Sequence, residues 1–314
     1  MLRLVGLLTA LVITACTQAR TPSRPTANPS PTVVAGPATT APEPSVAPEP
    51  TPRRTIAPDR LTFAVIGDFG TGDDPQLRIA SALRARRSGL DALVTTGDNI
   101  YPDGHPRRFE RAWHGPYGWV EEAGLEVVAS LGNHDVQTDG GRPVMQLMGM
   151  PARWYERELG PVRFLVLDAN RPHDPEQLRH LRAALAAPSA AWTVLVFHQP
   201  VHSCGRHGST PALRAAWEPV IREGGADLVL NGHDHNYQRF APIDGVPYVV
   251  TGGGGAGLYP VGGCPEGTPA PEAAAVTHHY LWVTATPGSL ELEAVDASGS
   301  VFDSWTRSRE RAAA

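Results

Sequence analysis

The chain has 314 residues, of which 41% are hydrophobic and 19% are charged, and its formal net charge at pH 7 is -5. This length allows one large domain with a sizeable buried core. The acidic balance argues against a nucleic-acid partner held by a basic surface.

Residues 1–15 have the pattern of an export signal. Arg3 precedes an apolar run over residues 4–13, and Cys16 follows shortly after it. An apolar run of about ten residues is too short to span a bilayer, so a cleaved signal is predicted. The tetrapeptide 13–16 resembles a bacterial lipoprotein signal, which implies acylation of Cys16 and lipid anchoring at the outer face of the bacterial cell membrane. A plain secretory leader with an incidental cysteine is the alternative.

Residues 16–58 form a biased segment rich in Pro, Ala, Thr and Ser. Its apolar content is too low to offset the entropy of ordering, so we interpret it as a disordered tether. A globular domain over residues 59–306 and a C-terminal tail over residues 307–314 follow it.

Within that domain, apolar runs rich in Val, Leu and Ile alternate with amphipathic stretches, which is typical of strands connected by helices. In chain order the pattern predicts strand 61–67, helix 75–87, strand 92–97, helix 106–113, strands 126–131 and 162–168, helix 175–186, strand 193–198, helix 211–223, and strands 228–232, 248–251, 280–285 and 290–295. The last three strands have no helix between them and suggest an antiparallel meander. We therefore expect an α/β fold in which sheets lie between helices.

Five predicted strands end at, or just before, a side chain that can bind a metal ion. These side chains are Asp68, Asp98, Asn133, His198 and His233. In α/β sheets the carboxyl ends of the strands are where loops converge on a ligand. Each motif alone could be an ordinary turn or loop, but the ordered series predicts a metal site.

A two-metal site needs a bridging carboxylate that holds both ions about 3.5 to 4 Å apart, with further ligands on each ion. The strings that could supply them are Gly67-Asp68-Phe69-Gly70, Gly97-Asp98-Asn99-Ile100-Tyr101, Gly132-Asn133-His134-Asp135, Val196-Phe197-His198 and Gly232-His233-Asp234-His235. In this order they resemble the calcineurin-like metallophosphoesterases, and within them the small tartrate-resistant purple acid phosphatases. The resemblance implies a single catalytic domain built as a β-sandwich of mixed sheets flanked by helices (αββα).

Two positions distinguish the purple acid phosphatases from other metallophosphoesterases. Many metallophosphoesterases have Asp-x-His in the first motif, but here Phe69 and Gly70 follow Asp68. Tyr101 stands three residues after Asp98, where the purple acid phosphatases place a tyrosinate. A phenol with an ordinary pKa of about 10 ionises at neutral pH only beside a strong Lewis acid, so a tyrosine ligand favours ferric iron. Alternatively, Tyr101 packs beside the site.

The resemblance implies a role for each remaining ligand. Asp68, Tyr101 and His235 would bind Fe3+, Asp98 would bridge, and Asn133, His198 and His233 would bind a divalent ion. The sequence does not distinguish Fe2+, Zn2+ and Mn2+, because all accept mixed oxygen and imidazole ligands. The implied reaction is hydrolysis of a small phosphate ester, as in an acid phosphatase, by a metal-bound hydroxide that attacks phosphorus.

Three histidines are candidate catalytic residues. His134 faces the substrate in the family, where an imidazole can protonate the leaving alkoxide. His207 begins a His-Gly-Ser-Thr string that resembles the His-Gly-x-Thr string of the tartrate-resistant enzymes, and His202 lies in the same loop. Solvated loop histidines are the alternative for His202 and His207.

Cys204 and Cys264 lie in loops that we expect beside the metal site. In an exported protein disulfides persist, so a bridge between them is predicted, with two independent thiols as the alternative. The glycine-rich segment 252–257 fits G-x-G-x-x-G, but Pro260 soon follows and no helix is predicted, which argues against a dinucleotide site. We expect this segment to let a loop approach the metals closely.

Two other functions stay open on the sequence alone. One is a phosphodiesterase or nucleotidase on the same scaffold, using two divalent ions, because loop shape decides the substrate. The other is a surface lipoprotein that keeps the fold only for binding, against which the intact ligand set argues. The sequence does not indicate the oligomeric state.

Overall fold

The computed structural model describes residues 54–187 and 191–309. The predicted signal segment, Cys16 and the tether up to residue 53 lie outside the described residues. Within the described ranges, no helix has both the length and the apolar character needed to cross a membrane.

In chain order the helices of the described ranges are α1 (Asp74–Arg86), α2 (Gly115–Glu122), α3 (Arg142–Leu147), α4 (Pro175–Ala186), α5 (Pro211–Ala216) and α6 (Glu218–Gly224). The strands are β1 (Leu61–Ile66), β2 (Ala92–Thr95), β3 (Glu126–Ala129), β4 (Tyr155–Leu159), β5 (Val162–Val166), β6 (Trp192–Val196), β7 (Leu228–Asn231), β8 (Tyr237–Arg239), β9 (Tyr248–Thr251), β10 (Ala273–Ala275), β11 (His279–Ala285), β12 (Ser289–Asp296) and β13 (Val301–Ser308). Each of these helices has proline at its first or second position, where a missing N–H costs no hydrogen bond.

The strands form two mixed sheets. The first has the order β13-β12-β11-β1-β2-β3, with β1, β2 and β3 parallel, and the second has the order β10-β8-β9-β7-β6-β5-β4, with β5, β6, β7 and β9 parallel. Phe63 of β1 and Phe164 of β5 meet edge to face in the core, with ring centroids 5.1 Å apart. A second apolar cluster holds Phe197 and Trp217 and packs helices α4, α5 and α6 onto the second sheet. The predicted αββα class is confirmed.

The predicted C-terminal meander is wrong at its first strand. β9 belongs to the second sheet, parallel to β7 and antiparallel to β8, whereas β11 and β12 pair antiparallel in the first sheet. The short strands β4, β8 and β10 were not predicted, and neither was β13. Residues of β13 alternate between exposed and half-buried positions, so the strand carries no apolar run that a sequence pattern could show.

Two predicted helices differ from the structure. The predicted helix 106–113 is a 3-10 turn (Pro106–Arg108) followed by a π-helix (Glu110–His114) that leads into α2. The predicted helix 211–223 is broken at Trp217 into α5 and α6. Pro219 explains the break, because a proline ring clashes with the carbonyl one turn earlier and lacks the N–H that would continue the helix.

The C-terminal boundary also lies later than predicted. β13 runs to Ser308, and the Arg309 guanidinium donates to both carboxylate oxygens of Asp227 at 2.6 and 2.7 Å. Arg307 donates to the Asp227 carbonyl at 3.0 Å. Residues 307–309, placed in the tail by the sequence pattern, are therefore part of the folded domain.

Candidate metal centre

The metal-capable side chains follow parallel strands of both sheets. Asp68 and Asp98 come after β1 and β2 in the first sheet, and His198 comes after β6 in the second. All three side chains are buried, and each offers one ligand atom within 4.8 Å of the other two. The carboxyl ends of the two sheets thus converge on one place, as the strand-end pattern predicts.

The seven predicted ligands fall into two groups that meet at Asp98. The first group is Asp68, Tyr101 and His235, whose ligand atoms lie 3.1 to 3.4 Å apart. The second group is Asn133, His198 and His233, in which His198 Nε2 lies 3.0 Å from Asn133 Oδ1 and 3.3 Å from His233 Nδ1. Asp98 Oδ2 accepts a hydrogen bond from the Tyr101 hydroxyl at 2.9 Å and lies 3.3 Å from His198 Nε2. One carboxylate oxygen therefore touches both groups.

The backbone is strained at three of these positions. Asp68, Asp98 and His233 have φ values of 56°, 52° and 71°, in the left-handed region that favours glycine. Such a conformation costs on the order of 1–3 kcal/mol per residue and persists where the surrounding structure holds it, commonly at functional sites. Each of the three lies two or three residues after the end of a strand.

Glycines allow the backbone to lie against the two carboxylates. A Cβ on Gly132 would sit 2.0 Å from Asp98 Oδ1, and one on Gly232 would sit 2.4 Å from Asp68 Oδ2. A Cβ on Gly252 would sit 2.8 Å from that same Asp68 oxygen. The glycine-rich segment 252–257 therefore brings its loop against the predicted ligand Asp68, as expected from the sequence.

His198 is oriented by the main chain. Its Nδ1 lies 2.9 Å from the Thr96 carbonyl and donates to it, which leaves Nε2 free to face Asp98 and Asn133. Burial alone would lower the pKa of His198, but Asp98 and Asp68 outweigh it and raise the pKa to about 10. A cation bound beside Asp98 and Asp68 would replace the proton on His198.

His235 has the same arrangement. Its Nδ1 donates to the Gly257 carbonyl at 2.7 Å, and its Nε2 faces Asp68 Oδ1 at 3.4 Å. An imidazole whose second nitrogen donates to a carbonyl is the usual setting of a metal-ligating histidine.

His233 is held close to both carboxylate and imidazole ligands. Its backbone N–H donates to Asp68 Oδ2 at 2.9 Å, and its ring faces His198. Burial, followed by the neighbouring His198 and His207, lowers its pKa to about 2, so its imidazole is neutral and able to ligate.

The Tyr101 hydroxyl lies inside the first group. Besides Asp98 it contacts Asp68 Oδ1 at 3.3 Å and His235 Nε2 at 3.1 Å. Burial, then Asp68 and Asp98, raise the pKa of Tyr101 well above its ordinary value. The phenol is therefore neutral unless a cation of high charge lies among these groups.

The donor set fits two metal ions. It combines two carboxylates, a phenol, an amide oxygen and three imidazoles, which is a mixed oxygen and nitrogen set that iron, zinc and manganese accept. The two groups with one shared carboxylate match the bridged layout that a two-metal site requires.

His134 lies beside the centre and is half-buried. Its Nδ1 donates to the Pro102 carbonyl at 2.5 Å, and its Nε2 lies 4.0 Å from Asp98 Oδ2. Its ring packs on Tyr101 with centroids 4.5 Å apart. The structure thus places His134 beside Asp98 and Tyr101.

His207 lies beside the predicted ligand His233. Its ring is exposed and packs on His233 with centroids 4.3 Å apart, and its backbone N–H donates to Asp234 Oδ1 at 2.8 Å. This location agrees with a residue that faces the substrate.

His202 does not reach the centre. It is 1% exposed, its Nε2 lies 2.7 Å from Glu218 Oε1, and its ring packs against Tyr248 and Phe240. Within the described ranges we find no contact between His202 and a predicted ligand. This position does not support the predicted catalytic role, because a buried ring paired with Glu218 cannot touch a substrate.

Two carboxylates that the sequence analysis did not single out hold the ligand loops. Asp135 is buried and accepts hydrogen bonds from the backbone of Asn99, Ile100 and Gly132 at 2.8 to 3.2 Å. Burial, then Asp98, raises its pKa to about 7, although these donors lower it. The only signal in the sequence is that Asp135 lies beside predicted ligands in the string 132–135.

The second of these carboxylates is Asp234, which stands between two predicted ligands. It accepts from the Ser203 hydroxyl at 2.5 Å and from the backbone N–H of His207. The predicted Cys204–Cys264 bridge is present close by and joins the loop of Ser203 to the loop after the glycine-rich segment.

Comparison with known proteins agrees with this geometry. A family model described as calcineurin-like phosphoesterase matches residues 61–237. Purple acid phosphatase 17 of Arabidopsis thaliana is 27% identical over 232 residues, which cover 62% of this chain and 68% of that protein. Tartrate-resistant acid phosphatase type 5 of Rattus norvegicus is 24% identical over 242 residues, which cover 64% of this chain and 74% of that protein.

A solved structure shares the fold. The purple acid phosphatase PPD1 isolated from yellow lupin (Lupinus luteus) seeds aligns with a TM-score of 0.71 at 20% identity. The alignment covers 83% of this chain and 55% of the lupin chain, so this protein spans about half the length of that structure.

Proposed function

We propose that this chain, which belongs to the calcineurin-like phosphoesterase family through its match over residues 61–237, is an acid phosphatase that hydrolyses phosphomonoesters at a dimetal centre. Family membership makes it a hydrolase of phosphoric esters. The observation that carries the finer assignment is the pair of donor groups that meet at Asp98.

Each donor group would hold one ion. Asp68, Tyr101 and His235 would bind Fe3+, while Asn133, His198 and His233 would bind Fe2+, Zn2+ or Mn2+, with Asp98 between them. The phenol supports ferric iron, because its raised pKa requires a strongly charged cation before it can ionise. When bound, the two ions supply Lewis-acid chemistry, which acidifies water and neutralises charge on the phosphate.

The protein's own groups prepare the site for that chemistry. The carbonyls of Thr96 and Gly257 fix the imidazoles of His198 and His235, so the site needs little rearrangement when an ester arrives. Asp135 joins the loops of Asp98 and His134, which keeps the shared carboxylate and the histidine in register.

We assign to His134 the protonation of the leaving oxygen. Because the Pro102 carbonyl can only accept, Nδ1 of His134 carries a hydrogen, and Nε2 is the nitrogen that faces the centre. The imidazolium form can give its Nε2 proton to the departing oxygen.

The loss of activity in the His134→Ala variant should depend on the leaving group of the ester. We expect kcat for glycerol 3-phosphate to fall about 100-fold or more, because an alkoxide needs a proton to depart. The loss for 4-nitrophenyl phosphate should stay below about tenfold, since nitrophenolate leaves unassisted. His114→Ala, at an exposed histidine that ends the π-helix before α2, is the matched control. Steady-state kinetics showing equal losses on both substrates would contradict this role.

The proposed function is tested by turnover of a monoester and a diester. Chelated protein should be inactive, and reloading with iron and zinc should restore activity. The reloaded protein should hydrolyse 4-nitrophenyl phosphate faster than bis(4-nitrophenyl) phosphate. A preference for the diester would favour a phosphodiesterase instead. Metal-loaded protein that turns over neither ester would favour a binding protein.

We also propose that the protein is exported and anchored through an acylated Cys16. The pattern of residues 1–16 supports this, and so does a disulfide in the described domain, because such bridges persist in oxidising compartments. Mass spectrometry of the N-terminal peptide tests it, and an unmodified Cys16 thiol would refute the anchor.

A further inference from the structure

A stack of side chains leads outward from the predicted ligand His235. The Tyr259 ring lies almost parallel to the His235 ring, with centroids 4.1 Å apart and planes inclined by 13°. The guanidinium carbon of Arg206 lies over the Tyr259 ring, 5.1 Å from its centroid. Because His235 covers one face of Tyr259, the guanidinium occupies the other face. The order from the centre to the solvent is imidazole, phenol, cation.

The loops that carry this stack, residues 203–207 and 257–264, form what we call the rim. The Cys204–Cys264 bridge joins them, and the backbone N–H of Gly262 donates to the Cys204 carbonyl at 2.7 Å. The backbone N–H of Tyr259 donates to the carbonyl of His235 at 3.0 Å. The rim is therefore fixed relative to the metal ligands before any substrate binds, which lowers the entropic cost of binding.

Arg206 brings a positive charge to the rim without a carboxylate partner. Its side chain is exposed, and among the described residues it forms no ion pair. By contrast, Arg153 pairs with Asp168 at 2.7 Å and Arg214 with Glu218 at 3.6 Å. A free guanidinium is a planar fork of donors that matches a carboxylate or a phosphate.

The stack also indicates which part of a substrate Arg206 can reach. A whole aromatic ring separates the guanidinium from His235, so it does not share the phosphoryl group that the ions would hold. It lies on the exposed side of the stack, where it can meet only a part of the substrate that extends beyond the phosphoryl group. Both faces of Tyr259 are covered, so that ring is not free to stack on an aromatic leaving group.

We propose that Arg206, supported by Tyr259, determines specificity for phosphomonoesters whose alcohol carries a second anionic group. This inference rests on the proposed phosphatase function and names its substrate class. The second group is a carboxylate or a second phosphate, since the guanidinium fork fits both.

Two pairs of esters test this preference in metal-loaded protein. 3-Phosphoglycerate and glycerol 3-phosphate differ only in a carboxylate, and fructose 1,6-bisphosphate and fructose 6-phosphate differ in a second phosphate. We expect kcat/KM to favour the more anionic member of at least one pair by about tenfold, as one charge-assisted contact allows. The pair that responds identifies the anion.

Substitution of Arg206 should remove the preference. In Arg206→Gln the ratio of kcat/KM between the two members of a pair should fall to near one, because KM for the more anionic ester rises. The kcat for glycerol 3-phosphate should stay unchanged. Tyr259→Phe, which keeps the stack, should retain the preference, and Tyr259→Ala should lose it. Arg179→Gln, at an exposed arginine on α4, is the matched control.

The proposal is overturned if the wild type uses both members of each pair equally, or if Arg206→Gln slows both members alike. Hydrolysis without preference leaves the proposed phosphatase function standing. If no ester is hydrolysed, that function fails instead, and calorimetric titration with 3-phosphoglycerate and glycerol 3-phosphate still tests the rim. Tighter binding of 3-phosphoglycerate that Arg206→Gln abolishes supports the proposal, and equal affinities refute it.

Discussion

The Asp98→Asn variant should lose more than about 100-fold in kcat/KM for phosphomonoesters, which exceeds the usual effect of removing a group that only orients a ligand. Asp98 Oδ2 touches both donor groups, at the Tyr101 hydroxyl and at His198 Nε2. A neutral amide supplies no negative charge to hold two cations together. We therefore expect the variant to bind fewer than two ions per chain.

Asparagine is the appropriate replacement at this position. Asp98 has a left-handed backbone, and asparagine tolerates that conformation better than most residues, so the loop should keep its shape. Asp139→Asn, at an exposed carboxylate that pairs with Arg142, is the control for loss of one negative charge. Metal analysis and steady-state kinetics provide the measurement. Retention of two ions and more than a tenth of the activity would show that Asp98 does not bridge.

The Tyr101→Phe variant should lose the colour of the iron-loaded protein. Burial and the carboxylates of Asp68 and Asp98 raise the pKa of the Tyr101 phenol well above its ordinary value, so only a strongly charged cation would ionise it at neutral pH. A ferric ion in the first donor group would ionise it and give a visible charge-transfer band. We therefore expect the band in iron-loaded wild type, none in chelated protein, and none in Tyr101→Phe under any loading.

Tyr259→Phe is the matched control for the colour. Tyr259 packs on His235 but its ring lies outside the donor groups, so its removal should leave the band intact. Absorption spectra after titration with ferric and divalent ions show whether the band depends on Tyr101 and on iron. A band that survives in Tyr101→Phe would rule out this tyrosine as the ligand. Full activity with zinc alone and no band would point to a centre of two divalent ions.

The convergence of these side chains could be predicted because of how parallel sheets are built. Asp68, Asp98 and His198 each follow a buried apolar strand, and such strands bring their carboxyl ends to one edge. The pairing of Cys204 with Cys264 was also predicted, since few cysteines were available and both lay in neighbouring loops.

Other features depend on contacts between distant segments, which local patterns do not record. His202 and His207 stand five residues apart in one loop, yet one is buried against Glu218 and the other packs on His233. β13 has no apolar run, and its Arg307 donates to the distant Asp227 carbonyl. The stack of Tyr259 on His235 likewise joins two loops that are separated by strands β8 and β9.

The central claim is that the described side chains hold two metal ions around Asp98. Anomalous diffraction from crystals of the metal-loaded protein tests it most directly. Two anomalous peaks should appear about 3.5 to 4 Å apart, on either side of the Asp98 carboxylate. One peak, or none among these seven side chains, would contradict it.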